Sequence, residues 1–163
     1  MANSRCLLYH SATVISECIL EGERIRLRPV AEGDLPHFVR WLADPDNVLW
    51  AIDTLDGRLI GTVELRITPR ARRAEMGIAV QDKSQWNKGY GTEAVRLVLG
   101  YAFGELGLNR VELTVDEENA RAVRCYRKCG FLREGLQRAY RLRQGKPVNA
   151  VLMGLLREEF KSA

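Results

Sequence analysis

The stretch Trp86-Asn87-Lys88-Gly89-Tyr90-Gly91-Thr92 is a polar loop with two glycines, and it leads directly into a long apolar segment. Glycine allows the backbone of such a loop to approach a ligand closely. The first N–H groups of a helix have no partner inside the helix, and the helix dipole places positive potential at the same end. The loop therefore predicts a binding site for a phosphate at the start of a helix.

The segment after the loop predicts a helix, a strand and a second helix. Apolar residues recur at helical spacing on one face of the first helix: Ala94, Val95, Val98, Ala102 and Leu106. Gly107 is expected to end this helix. Residues 110–115 alternate between polar and apolar, as a half-buried strand does. Asn119 to Cys129 predicts the second helix, because Asn is a preferred N-cap residue.

The complete chain predicts an α/β fold in which a mixed sheet carries helices on its faces. The expected order is β-α-βββ-α-β-α-ββ, with a further helix from about Glu32 to Leu42. Asp56-Gly57 and Gln144-Gly145-Lys146 are expected to be hairpin turns. The predicted strands are Arg24–Pro29, Val48–Ile52, Leu59–Ile67, Glu75–Val80, Arg110–Val115, Leu132–Arg141 and Pro147–Leu156.

Length and composition limit the classes of protein. The 163 residues, 46% of them hydrophobic, suffice for one core and are too few for two ordinary domains. Residues 19–163 are therefore expected to form one domain, preceded by an extension over residues 1–18 of uncertain structure. The net charge of +4 suits an anionic ligand and argues against nucleic-acid binding. No apolar run approaches the ~20 residues of a membrane span, and the first 17 residues make a poor signal peptide, which predicts a cytoplasmic protein.

The cysteines do not predict a metal site. Cys125 and Cys129 are one helical turn apart, which matches neither a zinc-binding spacing nor the disulfide framework of a secreted domain. Together with Cys6 and Cys18 they are expected to be reduced and packed in or near the core.

Two other phosphate-binding motifs were compared with the loop. A P-loop needs Gly-Lys-Ser/Thr at its end, whereas Lys88 precedes the glycines here. Gly89-x-Gly91-x-x-Ala94 fits the Rossmann fingerprint, and Glu112 lies at a suitable distance downstream. However, a polar loop rather than a buried strand precedes Gly89, and the chain after Val115 is too short for the second half of a dinucleotide fold.

The whole string Trp86-Asn-Lys-Gly-Tyr-Gly-Thr-Glu-Ala, followed by Asn119-x-x-Ala122-x-x-x-Tyr126-x-x-x-Gly130-Phe131, resembles the acyl-CoA-binding core of the GNAT N-acetyltransferases. Within that superfamily the chain is most similar to the branch that acetylates ribosomal-protein N-termini, with polyamine acetyltransferases close by. The resemblance extends from about Ile19 to Phe160. It implies the GNAT fold and acetyl transfer from acetyl-CoA to a primary amine by direct attack in a ternary complex.

The resemblance also implies a set of acetyl-CoA-binding residues. Main-chain amides of the loop would hold the pyrophosphate, and a strand would offer its main chain to the pantetheine amides. Asn119 would contact the cofactor in addition to capping its helix, and no metal is implied. The implied cofactor-binding residues are Ile78, Ala79, Val80, Trp86, Asn87, Lys88, Gly89, Tyr90, Gly91, Thr92, Asn119 and Tyr126.

The catalytic residues implied are Tyr126 and Glu112. Tyr126 would protonate the departing CoA thiolate, the alternative being a core aromatic residue with a bonded hydroxyl. Glu112 on the central strand would accept the proton of the amine, with Glu75 as a second candidate, and either could be an ordinary surface carboxylate. An acetylated Cys125 is a weaker alternative, because no motif places His10 or His37 beside it.

The chain departs from the family pattern at two places. Trp86 replaces the usual Gln or Arg at the start of the loop, where it could stack on the cofactor or simply pack. Residues 42–56 leave no room for the second helix that normally forms one wall of the acceptor site. The acceptor pocket could therefore be open and suit a bulky substrate, or residues 1–18 or another subunit, as in a homodimer, could complete it. The acceptor, a small amine or a protein N-terminus, stays open, and the chain could instead be a CoA-binding regulator with weak or no turnover.

Overall fold

The computed structural model describes residues 18–31, 34 and 47–161. Over these residues eight strands form one sheet in the order β1-β2-β3-β4-β5-β6-β8-β7. The strands are β1 Leu20–Glu21, β2 Ile25–Pro29, β3 Asn47–Thr54, β4 Leu59–Thr68, β5 Arg73–Val80, β6 Arg110–Asp116, β7 Leu132–Arg143 and β8 Lys146–Leu156. The helices are α1 Tyr90–Gly104 and α2 Ala120–Lys128.

The predicted α/β order is confirmed wherever the structure describes it, and β1 is an additional short strand. Gly57 and Gly145 have φ values of 84° and 77°, which supports both predicted hairpin turns because glycine adopts positive φ without strain. The helix predicted from Glu32 to Leu42 and the extension before Cys18 lie outside the described residues.

The two faces of the sheet differ in polarity because side chains alternate along each strand. On one face, cross-strand pairs such as Leu27 with Ile52 and Leu65 with Met76 are almost completely buried. On the other face, Glu64, Glu75 and Glu112 remain partly or largely accessible. The register therefore separates a core face from a charged face.

Helix α1 covers the core face, since it contacts β1, β2, β4, β5 and β6. Its buried residues include all the predicted apolar positions except Leu106, which lies beyond the helix end: Ala94, Val95, Val98, Leu99, Tyr101, Ala102 and Phe103. The Tyr101 ring meets the buried Trp50 ring edge-on, with centroids 5.6 Å apart. Burying each large apolar side chain contributes about 1.5–3 kcal/mol, so this face supplies most of the stability.

The two central strands, β5 and β6, are the only parallel neighbours among the described strands. They pair only at Arg73–Arg110, Ala74–Val111 and Glu75–Glu112. Beyond Glu75 the strands separate, although β5 keeps its pairing with β4 up to Val80. This separation opens the sheet at its centre, next to the start of α1.

Candidate functional site

A cavity of about 670 Å³ lies where β5 and β6 separate and where α1 and α2 begin. Its lining brings together every predicted cofactor-binding residue except Lys88, and it includes Tyr126. It includes none of the three glutamates Glu64, Glu75 and Glu112. The lining residues that the sequence did not predict are Gln85, Thr114, Val115, Asp116, Arg121, Ala122, Arg124, Cys125, Lys128 and Arg141.

The glycine loop, residues 86–92, presents the start of α1 to this cavity. Gly89 is the N-cap of the helix at a φ of 88°, and no side chain caps the first turn. Asn87 also has a positive φ, 62°, which Asn tolerates better than most residues. The first N–H groups of α1 are therefore not occupied by a capping side chain, as an anion site requires.

Arg24, in the turn between β1 and β2, holds the back of this loop. Its backbone N donates to Glu93 Oε1 at 2.8 Å and its Nε donates to Glu93 Oε2 at 2.9 Å. Its Nη1 donates to the carbonyl oxygen of Lys88 at 3.0 Å. A Cβ on Gly89 would lie 2.8 Å from the end of the flexible Arg24 side chain, which could shift, so glycine is favoured there mainly by the φ of 88°.

Trp86 packs within the protein on at least one face of its ring. Its Nε1 donates to the carbonyl oxygen of Val80 at 2.7 Å, which fixes the loop to the end of β5. The guanidinium carbon of Arg121 lies 3.4 Å from the centre of the indole ring, a cation–π distance. The sequence did not single out Arg121, because spacing alone does not bring α2 onto the loop.

Helix α2 positions Asn119 and Tyr126 at the cavity. Asn119 is its N-cap and accepts from the Ala122 N–H at 3.2 Å, as the sequence predicted. Tyr126 is 7% exposed, and its ring packs edge-on against Phe131 with centroids 5.8 Å apart. Burial, with smaller contributions from Cys125 and Cys129, raises the pKa of Tyr126 well above its ordinary value. The phenol is therefore a protonated group in the cavity wall at neutral pH.

Cys125 and Cys129 lie where α2 meets α1. Cys125 Sγ is 3.3 Å from Thr92 Oγ1, and Cys129 Sγ is 3.6 Å from the Thr92 carbonyl oxygen. The hydrogen bond from Cys129 lowers the pKa of Cys125. The prediction of reduced cysteines is confirmed for this pair, which is free, and is wrong for Cys18, which is disulfide-bonded. Cys6 and both histidines lie outside the described residues.

Glu112 belongs to an ion-pair network on the charged face. It binds Arg73 and also accepts from Arg110 Nε at 2.9 Å. Glu75 binds Arg66 Nη1 at 3.2 Å. Lys88 donates from Nζ to Oε1 of the lining residue Gln85 at 3.0 Å, but is not itself part of the lining. The structure therefore does not bring Glu112 or Lys88 together with the other predicted site residues.

Glu64 is a carboxylate on the same face that the sequence reasoning missed. It pairs in register with Gly77, and a Cβ on Gly77 would lie 2.6 Å from Glu64 Oε1. Its ion-pair contact with Arg66 is long, 3.9 Å. Burial raises the pKa of Glu64, and the charge of Glu75 acts in the same direction. A glycine opposite a glutamate was the available signal, since it leaves room for the carboxylate beside the open half of β5.

Residues 42–56 are where the sequence leaves no room for the family's second helix, and the described part of this segment contains a strand. Residues 47–54 form β3, so they provide no second helix. Residues 42–46 lie outside the described ranges. In the described part of the chain no group of three His, Cys, Asp or Glu residues could hold a metal ion. No helix there is long and apolar enough to cross a membrane.

Comparisons with known proteins identify the family. Residues 45–132 match the model of the acetyltransferase (GNAT) domain. The chain is 34% identical over 116 residues to the L-amino acid N-acetyltransferase AaaT of Escherichia coli K12, covering 69% of this chain and 70% of the relative. It is 37% identical over 106 residues to the spermidine N(1)-acetyltransferase of the same organism, covering 64% of this chain and 56% of that relative.

Among solved structures, the dodecameric spermidine N-acetyltransferase of Vibrio cholerae is 29% identical, with a TM-score of 0.66, over 71% of this chain and 67% of that one. The chain spans between about half and 70% of the length of the curated relatives described here and of others that it matches. The family match covers 88 of the 163 residues, which is more than half of the chain, and includes the glycine loop, α1, β6 and α2. The chain therefore belongs to the GNAT acetyltransferase family.

Proposed function

We propose that this protein transfers an acetyl group from acetyl-CoA to a primary amine by direct attack in a ternary complex. The observation that carries the proposal is the cavity at the separation of β5 and β6. It is lined by the uncapped start of α1, by the open half of β5 and by Tyr126. The cavity thus combines an anion site, a free strand edge and a buried phenol.

The residues present fit CoA. The amides of the glycine loop suit its pyrophosphate, because they lie at the positive end of α1 without a side-chain cap. Ile78 to Val80 have no strand partner on the β6 side, so their main chain suits the pantetheine amides. Basic side chains at the cavity also suit an anionic cofactor: Arg121, Arg124, Lys128 and Arg141.

Acetyl-CoA supplies an activated acetyl group when it is bound. Tyr126 would donate the proton that the departing thiolate needs, because its buried hydroxyl stays protonated at neutral pH. A raised phenol pKa makes proton transfer to an ordinary thiolate less favourable. Burial beside Tyr126 would also raise the pKa of the bound CoA thiol, which would offset part of the difference.

The proton of the amine has two candidate acceptors. Glu112, the residue predicted from the sequence, has its carboxylate occupied by Arg73 and Arg110. Glu64 is half-buried, has a long contact to Arg66 and a hydrogen bond with the side chain of Asn47, and lies beside the open half of β5. A general base needs an accessible lone pair and a pKa nearer the working pH than an ordinary carboxylate has. These requirements favour Glu64, acting directly or through water.

The acceptor is proposed to be a small amine or a protein N-terminus, in the cytoplasm where acetyl-CoA would be available. The names of the relatives include an L-amino acid acetyltransferase and spermidine acetyltransferases. Residues 35–46, part of the segment expected to help form the acceptor wall, are outside the described ranges, so the chemistry of the pocket does not choose between these amines. A solved relative is dodecameric, which supports assembly of several chains.

The experiment is a thiol-release assay with acetyl-CoA against spermidine, free amino acids, an aminoglycoside and a peptide with a free N-terminus. Turnover on one amine class, with acetylated product seen by mass spectrometry, is the expected result. CoA binding without turnover on any amine would instead favour a regulatory role. Binding of NADH without binding of CoA would contradict both.

A further inference from the structure

Arg121, in the first turn of α2, has an unusual environment. Its guanidinium lies over the Trp86 ring, and its Nη1 atom is buried with no hydrogen-bond partner among the described residues. Arg121 takes part in none of the ion pairs found among those residues. A buried donor on a charged group is costly unless a partner satisfies it. The side chain also lines the cavity, so its partner is expected there.

The other basic groups at the cavity are less well placed. Arg141 already binds Asp116, with its Nε 3.0 Å from Asp116 Oδ1. Arg124 and Lys128 lie in the lining as well, but Arg124 is largely exposed and so is Lys128. A solvated lysine or arginine attracts an anion weakly because water screens it. Arg121 is the basic residue of the lining that combines burial with an unpartnered donor.

Trp86 holds Arg121 in a fixed orientation. The indole is itself anchored, since its Nε1 donates to the Val80 carbonyl oxygen at 2.7 Å. A guanidinium that stacks on a ring keeps its N–H groups in the plane of the stack, where they can bind two oxygens of one phosphate. The end of β5, the glycine loop and α2 are therefore connected through Val80, Trp86 and Arg121 in turn.

We propose that Arg121 binds a phosphate group of CoA and that Trp86 positions it to do so. The inference rests on the proposed function, because it takes CoA as the ligand. The proposal also explains how the chain can carry Trp86 at the start of the loop. Trp86 occupies the position where similar chains carry Gln or Arg, and the cation comes from α2, across the loop, instead of from the loop itself.

Calorimetric titration of the full chain with CoA, dephospho-CoA and pantetheine tests the proposal. Arg121→Ala is expected to weaken CoA binding roughly tenfold to a hundredfold, as loss of a charge-assisted hydrogen bond does. Pantetheine, which lacks the phosphates, should bind equally to both proteins. Equal losses for CoA and dephospho-CoA would assign the pyrophosphate, and a loss confined to CoA would assign the 3′-phosphate; both outcomes support the proposal.

Arg127→Ala is the matched control, because it removes the same charge from α2 at an exposed position outside the cavity lining. It should change CoA affinity less than about twofold, as expected for a screened surface charge. Arg121→Lys keeps the charge but loses the planar stack, so its affinity should fall between those of the wild type and Arg121→Ala.

The role of Trp86 is tested by a double-mutant cycle. If Trp86 acts through Arg121, Arg121→Ala should cost much less in a Trp86→Ala background than in the wild type. Trp86→Leu removes the aromatic face but keeps an apolar side chain, and serves where Trp86→Ala does not fold. Additive losses would overturn the positioning role.

Two results would contradict the proposal in distinguishable ways. CoA affinity within twofold of wild type in Arg121→Ala would overturn the phosphate contact while leaving the proposed function intact. Equal losses for CoA and pantetheine would show that Arg121 is only structural. Failure of the wild type to bind CoA would instead overturn the proposed function together with this inference.

Discussion

The two halves of strand β5 differ in what their neighbours do. Residues 73–75 pair with β6, and the charged side chains around them form ion pairs such as Arg73 with Glu112 and Arg66 with Glu75. Residues 78–80 have no partner on that side and line the cavity. We propose from this difference that a carboxylate on this face is structural beside the paired half of β5 and functional beside the open half.

The largest expected effect concerns Tyr126, the proposed acid beside the open half of β5. Tyr126→Phe removes the proton donor but keeps the ring that packs on Phe131, so kcat should fall about 10²–10⁴-fold while the KM for acetyl-CoA changes little. Steady-state thiol release measures both. Tyr140→Phe, at a 48% exposed position, is the control and should leave kcat unchanged. An equal kcat in Tyr126→Phe would remove the acid role.

The second effect compares one carboxylate from each half. Glu64→Gln should lower kcat by about 10²-fold at neutral pH, whereas Glu112→Gln should mainly cost stability, about 1 kcal/mol. The raised pKa of Glu64 means that the wild-type rate is lost as pH falls through a value above that of an ordinary glutamate. Glu64→Gln should lose this fall in rate at low pH. Its loss of kcat should become smaller at high pH, where the amine deprotonates by itself.

The pH–rate profiles of the two variants decide between the two carboxylates. A normal acid limb in Glu64→Gln together with a lost limb in Glu112→Gln would reverse the assignment. Thermal melts of both variants separate the catalytic effect from a loss of folding.

A smaller effect is expected at the glycine loop. Gly89→Val places a β-branched residue at a φ of 88° and against the Arg24 guanidinium, so acetyl-CoA binding should weaken by at least about tenfold. Gly100→Ala is the matched control inside α1, where a Cβ meets open space. That change should leave binding intact and stabilise the protein by about 0.5–1 kcal/mol. Calorimetry and thermal melts measure these outcomes.

The smallest effect tests the support behind the loop. Arg24→Ala removes the side-chain contacts to Glu93 Oε2 and to the Lys88 carbonyl oxygen but keeps the backbone N–H contact to Glu93. It should cost about 1 kcal/mol of stability and weaken acetyl-CoA binding a few-fold. Arg26→Ala, which removes only the exposed ion pair with Glu21, should do neither. Identical effects of the two variants would show that Arg24 does not position the loop.

The elements of the fold were predictable from local patterns. The Asp56-Gly57 turn, the apolar face of α1 and the Asn119 cap all carry their structure within a few residues. The cavity residues of the glycine loop other than Lys88, with Asn119 and Tyr126, were likewise found because the motif spans them, and residues 78–80 were found from the family resemblance. The sequence alone did not reveal how far β5 and β6 stay paired, since this depends on contacts between distant segments.

Three site features depended on such distant contacts. Arg121 lies on Trp86 only because α2 crosses the loop, and 35 positions separate the two residues in the sequence. Glu112 looked accessible because its strand alternates, but Arg73 and Arg110 occupy its carboxylate. Glu64 was passed over because the glycine that makes room for it, Gly77, is on another strand. The periodicity of one strand does not show which side chains on other strands its residues will meet.

The most direct test of the central claim is calorimetric titration of acetyl-CoA into the wild type and into Gly89→Val, with Gly100→Ala as the control. The account predicts saturable binding at one site per chain in the wild type and the control, and clearly weaker binding in Gly89→Val. Absence of binding to the wild type, or equal binding to all three proteins, would contradict the claim that the cavity beside the open half of β5 holds acetyl-CoA.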